Sequence, residues 1–238
     1  MFTEIKMSSK VAPRASIGAC SRVVALLLVL LMPLSGLADS TTPASTIPNQ
    51  AEQMAEQLAM RLASQDFYAA EFSQRVDDID GTLIDEYQGR VAIARPAKLR
   101  WDVDAPLEQS IVLENNRLQQ YDRDLDQLTL RDLEPDAIAL PKVLLQGNAA
   151  AIEQSFTVEE QSSEGAGVGV AYRLQPKKNT AQFVSLSVSF ADEQLASLSI
   201  VDELHQITTI TFYNVTTAPV PDERFELDIP ADTEIIGP

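Results

Sequence analysis

Thirty-five acidic residues against 18 basic ones give this 238-residue chain a formal charge of −17, a field that repels nucleic acid and anionic membrane surfaces. One histidine and one cysteine leave no histidine cluster for a metal and no intramolecular disulfide. Nothing in the composition calls for a cofactor.

Lys6, Lys10, Arg14 and Arg22 precede the apolar run "VVALLLVLLMPLSGLA", Val23 to Ala38. A basic start, an apolar stretch broken by Pro33 and Gly36, and small residues at Gly36 and Ala38 form a secretory signal peptide, too short for a membrane span. Residues 1–38 are expected to be cleaved after Ala38. Cys20 stands before the apolar run, whereas a lipidated cysteine must follow one, so it reads as part of the signal. Cleavage takes away four basic residues and one acidic residue, leaving 14 against 34 and a charge of −20. The mature chain is expected in the periplasm, soluble, unanchored and without cysteine.

Residues 39–49, "DSTTPASTIPN", read as a flexible start, and residues 50–238 as a single domain. From Gln50 to Ser64 the apolar set Met54, Ala55, Leu58 and Leu62 recurs at steps of three and four, which predicts an amphipathic helix. Asn49 suits its N-cap and Gln53 the capping box. Beyond it the period becomes two. "FYAAEFSQRVDD" is a strand, Asp80-Gly81 a hairpin turn, and "LIDEYQGRVAIAR" and "KLRWDV" continue the alternation. Arg95 and Pro96 interrupt it. "SIVLENNRLQQYD" folds back at Asn115-Asn116, two residues that tolerate positive φ.

Residues 134–151 break this rhythm. "EPDAIALPKVLLQGNAAA" is apolar, with prolines at 135 and 141 and glycine at 147, a pattern of two short helices with proline in each first turn and a glycine at the end. "EQSFTVEEQ", "VAYRLQP", "FVSLSVSF", "LASLSIV", "ITTITFYNV" and finally "RFELDIP" complete a series of strands. Strands about ten residues apart with short polar turns predict a mainly β, α+β protein built on one large antiparallel sheet. The helix at 50–64 and the short helices at 134–146 are available to cover its apolar face. That face is either a permanent core or a cavity for an apolar ligand.

Chemistry is scarce. His205, in a predicted turn, is the only histidine, and no G-x-S-x-G elbow exists, so a Ser-His-Asp arrangement has no foundation. Gly165, Gly167 and Gly169 do not match G-x-G-x-x-G. Ile79 and Gly81 break the calcium-loop spacing of Asp77, Asp78 and Asp80. No enzymatic activity is expected.

Several stretches resemble the periplasmic outer-membrane lipoprotein carrier (LolA) family: "RLASQDFYAAEFSQRV", "YQGRVAIARPAKLRWDVDAP", "SIVLENNRLQQYDRDLDQLTL", "LLQGNAAAIEQSF" and "FYNVTTAPVPDERFELDIPAD". The likeness spans about Leu58 to Ile236, and its most specific part is "RP-x-x-x-x-W" with the segment that follows, Arg95 to Ile111. It implies an unclosed β-barrel with helices over its mouth. It also implies a non-enzymatic carrier, monomeric, that shields acyl chains of lipoproteins released by an inner-membrane ABC transporter and delivers them to an outer-membrane acceptor similar to LolB. The same fold with another lipid or glycolipid as cargo is the alternative. In the family an arginine at the position of Arg95 resembles a latch hydrogen-bonding the lid. Leu62, Leu99 and Trp101 fall at cavity-facing positions, and Phe72, Val91, Ile93, Ile111 and Leu113 are assigned with them. Ile138, Leu140, Val143, Leu144 and Leu145 are assigned to the lid. Family members often carry an aromatic side chain where this chain has Leu99.

Overall fold

The computed structural model describes residues 50–133, 145, 147–162, 169–178 and 183–237. The predicted helix is present as α1 (Gln50–Ala63), with Ala55, Leu58, Ala59 and Leu62 buried along one stripe. Ser64 ends it by turning its hydroxyl back onto Arg61 O at 2.7 Å. Asn49, the expected cap, lies outside the described residues, as do the expected signal and the segment 39–49.

Six strands follow as a meander: β1 (Phe67–Asp77), β2 (Leu83–Ala94), β3 (Lys98–Val103), β4 (Gln109–Glu114), β5 (Arg117–Asp122) and β6 (Gln127–Asp132). Helix α2 (Ala149–Ser155) leads into five more, β7 (Phe156–Ser162), β8 (Gly169–Pro176), β9 (Phe183–Ala191), β10 (Gln194–Asp202) and β11 (Ile207–Thr216). A 3-10 turn (Asp222–Phe225) precedes the last strand, β12 (Glu234–Ile236). All twelve strands form one curved sheet in the order β12-β6-β5-β4-β3-β2-β1-β11-β10-β9-β8-β7. Because β11 returns to pair with β1, the two meanders join in the middle. The edges β12 and β7 do not meet, so the barrel is unclosed.

The turns have the chemistry that two-residue hairpins require. Asn115 and Asn116 have φ of 48° and 72°, and Asp192 and Glu193 have 47° and 65°, the paired left-handed conformation whose twist matches the flanking strands. Gly89 is needed for a different reason. A Cβ there would lie 2.6 Å from Phe72 Cζ and collide with the Asp102 carbonyl oxygen, so the Phe72 ring occupies the space over Gly89, its partner across β1 and β2.

Three expectations are corrected. "EQSFTVEEQ" is not a strand from its first residue, because Glu153 to Ser155 belong to α2. The Asn148 side chain accepts from Ala151 N at 3.3 Å and caps a run of alanines, so a helix starts just after Gly147 and continues to Ser155. "RFELDIP" is not a strand either. Its first two residues, Arg224 and Phe225, finish the 3-10 turn and the remainder runs on without sheet pairing. The sheet is also not wholly antiparallel, since β12 pairs with β6 in parallel. The rest of the expected lid, residues 134–144, lies outside the described residues.

Candidate functional site

The inner face of the sheet is built by alternation. Register carries Tyr68, Ile93, Leu99 and Leu113 across β1 to β4 in one row, and Ala70, Val91, Trp101 and Ile111 in the next. In a third row Phe72 faces Gly89, which faces Val103. The helices α1 and α2 pack on each other and on this face, so Leu58, Leu62 and Ile152 join the strand side chains in one apolar cluster. Leu62, Phe72, Val91, Ile93, Leu99, Trp101, Ile111 and Leu113 are all in it, none more than 3% exposed. Period two on the strands and a three-and-four step on the helix suffice to bring these residues together.

Aromatic rings hold the centre. Phe72 stacks on Trp101 with centroids 4.2 Å apart, tilted by 30°, and Phe212 of β11 meets both Trp101 and Tyr68 edge-on. The cluster continues through the second meander by way of Ile210, Leu198, Val188 and Leu174. Polar groups are few on this face. The Tyr68 hydroxyl donates to Leu195 O at 2.8 Å, and burial pushes its pKa well above the usual phenol value, with Arg95 opposing weakly. Trp101 Nε1 and Gln109 Oε1 are buried with no hydrogen-bond partner among the described residues. Each such group costs about 1–3 kcal/mol in a face that is otherwise apolar.

Arg95 stands at the β2–β3 turn, half-buried, with a cis peptide bond to Pro96. Its Nη1 donates to Gln65 O at 2.6 Å and its backbone N–H to Asp66 O at 2.8 Å, both in the connection from α1 to β1. Burial lowers the guanidinium pKa, while Asp66 and Tyr68 act in the opposite direction. Of the expected lid, Leu145 is described and is 3% exposed within the apolar cluster. Close behind it, a Cβ on Gly147 would come within 2.8 Å of Ala63 Cβ and 3.1 Å of Ala59 O. Ile138, Leu140, Val143 and Leu144 lie outside the described residues.

Several participants had no signal in the sequence. Phe156, Tyr172, Phe190 and Phe212 belong to the same cluster, but only pairing of β11 with β1 brings their half of the sheet beside the first. The outer face carries a second feature of this kind. Asp102, 6% exposed, accepts from Arg100 Nε at 2.8 Å, Ser110 Oγ at 2.7 Å and Arg224 Nη2 at 3.2 Å. Arg100 Nη1 also donates to Glu226 O at 2.6 Å. These contacts hold the segment after β11 against β3, where Phe225 is buried. Among the described residues, no group of three or more His, Cys, Asp or Glu is placed to hold a metal ion. His205 sits in the β10–β11 turn with φ 63° and is exposed.

A site of this kind offers apolar contact and a few hydrogen-bonding groups near its margin. It presents no paired nucleophile and base among the described residues. The family model "Outer membrane lipoprotein carrier protein LolA" matches residues 63–228. An outer-membrane lipoprotein carrier protein of Chromohalobacter salexigens is 32% identical over 183 residues, covering 76% of this chain and 86% of the relative. One from Pseudomonas putida KT2440 is 32% identical over 201 residues, covering 84% and 96%. A crystal structure of an uncharacterized conserved protein from Thermus thermophilus superposes with a TM-score of 0.51 at 11% identity, covering 79% of this chain and 99% of that one, and shows a shared fold. The matched length, the unclosed sheet and the buried apolar face agree, and the chain belongs to the outer-membrane lipoprotein carrier (LolA) family.

Proposed function

We propose that this protein is a non-enzymatic periplasmic carrier that shields the acyl chains of lipoproteins released from the inner membrane and hands them to an outer-membrane acceptor. The observation that carries the reading is the continuous apolar inner face of an unclosed sheet, covered by α1 and α2 rather than by a second sheet. Edges that do not meet let such a face widen without breaking a ladder, and the family membership makes an acyl cargo its occupant. Residues 1–38 act as the export signal, and the working protein is the domain from 50 to 238.

The energetics suit transport. Each methylene withdrawn from water is worth about 0.8 kcal/mol, and a triacylated anchor carries roughly 45 of them, so bare transit would cost about 35 kcal/mol. Exchange between a bilayer and an apolar protein face runs between two similar media and lies near zero. A carrier of this sort binds without holding on. The partners are an inner-membrane lipoprotein-releasing ABC transporter on one side and a LolB-like acceptor on the other. Leu62, Phe72, Val91, Ile93, Leu99, Trp101, Ile111 and Leu113 line the acyl site, Ile138, Leu140, Val143, Leu144 and Leu145 belong to its lid, and Arg95 latches that lid to the rim.

The direct test is release from spheroplasts. Purified mature protein is added, and the soluble fraction is analysed by mass spectrometry for acylated proteins in complex. Triacylated lipoproteins at near-stoichiometric amounts are expected. Free lipids or glycolipids bound in their place would reassign the cargo, and a protein recovered empty would leave the apolar face as an ordinary core.

A further inference from the structure

Arg61 lies in the last turn of α1 and is half-buried. Its Nε donates to the Tyr172 hydroxyl at 3.2 Å, and its guanidinium carbon is 5.9 Å from the centroid of the Phe190 ring. Tyr172, 1% exposed, makes a long 3.5 Å contact to Gln57 Oε1, one helical turn earlier, and packs edge-on against Phe190. Hydroxyl and ring together set the orientation of the guanidinium.

Among the described residues no carboxylate pairs with Arg61. Arg75, Arg90, Lys98, Arg100, Arg123 and Arg224 each pair with a carboxylate, as expected where acidic residues outnumber basic ones almost two to one. Arg61 instead turns toward the apolar cluster, and among the described residues no group accepts from its two terminal nitrogens. A planar fork of donors, part-desolvated and held from behind, matches paired oxygen acceptors. Charge-assisted hydrogen bonds of this kind are about twice as strong as neutral ones.

We propose that Arg61, positioned by Tyr172 and Phe190, binds the oxygen-bearing linker of an acylated cargo. That linker is the set of ester carbonyls where fatty chains join their glyceryl unit, the chains themselves running into the apolar cluster. The inference rests on the carrier reading above and adds to it a polar anchor that fixes which end of the cargo stays at the margin.

The test uses the purified mature protein, Arg61→Met and Tyr172→Phe. The probe is N-phenyl-1-naphthylamine, an apolar dye without oxygen. It is displaced by a tripalmitoyl-glyceryl-cysteinyl peptide, by the dialkyl ether analogue of that peptide, and by phosphatidylglycerol. Arg61→Met is expected to weaken the lipopeptide about tenfold, the equivalent of one charge-assisted hydrogen bond, and Tyr172→Phe to weaken it less. The dye should bind all three proteins equally, and the ether analogue should bind wild type no better than the ester peptide binds Arg61→Met. Unchanged lipopeptide affinity in both variants, or parallel loss of the dye, overturns the assignment. A loss confined to phosphatidylglycerol overturns it in favour of a headgroup phosphate. If wild type takes up the dye and no acylated ligand, the carrier reading itself fails. If wild type and both variants take up the lipopeptide alike, only the role of Arg61 does.

Discussion

At the scale of single residues, Arg95 and Tyr68 show how a few polar groups are accommodated beside an apolar face. The Arg95 guanidinium reaches back across the β2–β3 turn to Gln65 O, which ties that turn to the segment leaving α1. Five donors on a planar fork leave capacity for a lid as well. Arg95→Leu keeps much of the apolar stem and removes all of the donors. It is expected to slow handover of a loaded lipoprotein to acceptor-bearing membranes at least severalfold while the apo protein remains folded. Transfer rates equal to wild type would remove the latch role. Tyr68 supplies a pH dependence. Burial holds its hydroxyl neutral well above the usual phenol range, so the folded state binds this proton more tightly than the unfolded state. The resulting stability is fully present below about pH 10, the unfolded phenol value, and is lost as pH climbs beyond it. Urea midpoints should therefore fall as pH rises above about 10, the unfolded phenol value. Tyr68→Phe should flatten this fall and cost about 1 kcal/mol near neutrality through loss of the bond to Leu195 O.

Among the elements, the segment after β11 differs most from its expected form. Its sequence alternates too little and has too many prolines to enter the sheet as a strand, and it is held instead by side chains of β3. Asp102 takes hydrogen bonds from two arginines and a serine, and Lys98 reaches Asp222 at 2.9 Å. Removing the acidic partner of this group strands Arg100, which is itself largely buried. Asp102→Ala should lower stability by about 3 kcal/mol, read from urea unfolding, and should speed tryptic cleavage after Arg224. A loss below about 0.5 kcal/mol, the range of a surface substitution, would show that Phe225 alone holds the segment. Helix α2 makes a related point. Three alanines preceded by Asn148 are a sufficient start signal, yet the period-two reading of "EQSFTV" obscured it because Phe156 and Val158 alternate correctly for the strand that follows.

For the whole molecule, a charge of −17 over the full chain, or −20 after removal of residues 1–38, bears on encounter rather than on fold. If transfer runs from this acidic carrier to a basic mouth on the acceptor, its rate should fall as salt rises, because the Debye length shrinks from about 10 Å at 0.1 M to about 3 Å at 1 M. Stopped-flow transfer at several ionic strengths reads this directly, and a rate indifferent to salt would exclude steering. Much of the architecture was legible from the chain alone. Helix α1, the hairpins at Asn115-Asn116 and Asp80-Gly81, and the apolar alternation of β1 to β4 all rest on periods and turn chemistry that act within a dozen residues. The seven strand side chains from Phe72 to Leu113 share the inner face for the same reason, since a period of two decides which residues share a face before any partner strand is present, and Leu62 joins them through the three-and-four step of α1. Other features were settled only by tertiary structure. The return of β11 to β1, which joins Phe212 to Trp101, depends on contacts more than a hundred residues apart. So do the parallel seat of β12 on β6, the Asp102 cluster and the placing of Arg61 against Tyr172. A local pattern reports what a segment buries, not what it is buried against, and long-range pairing is chosen by the packing of the whole sheet.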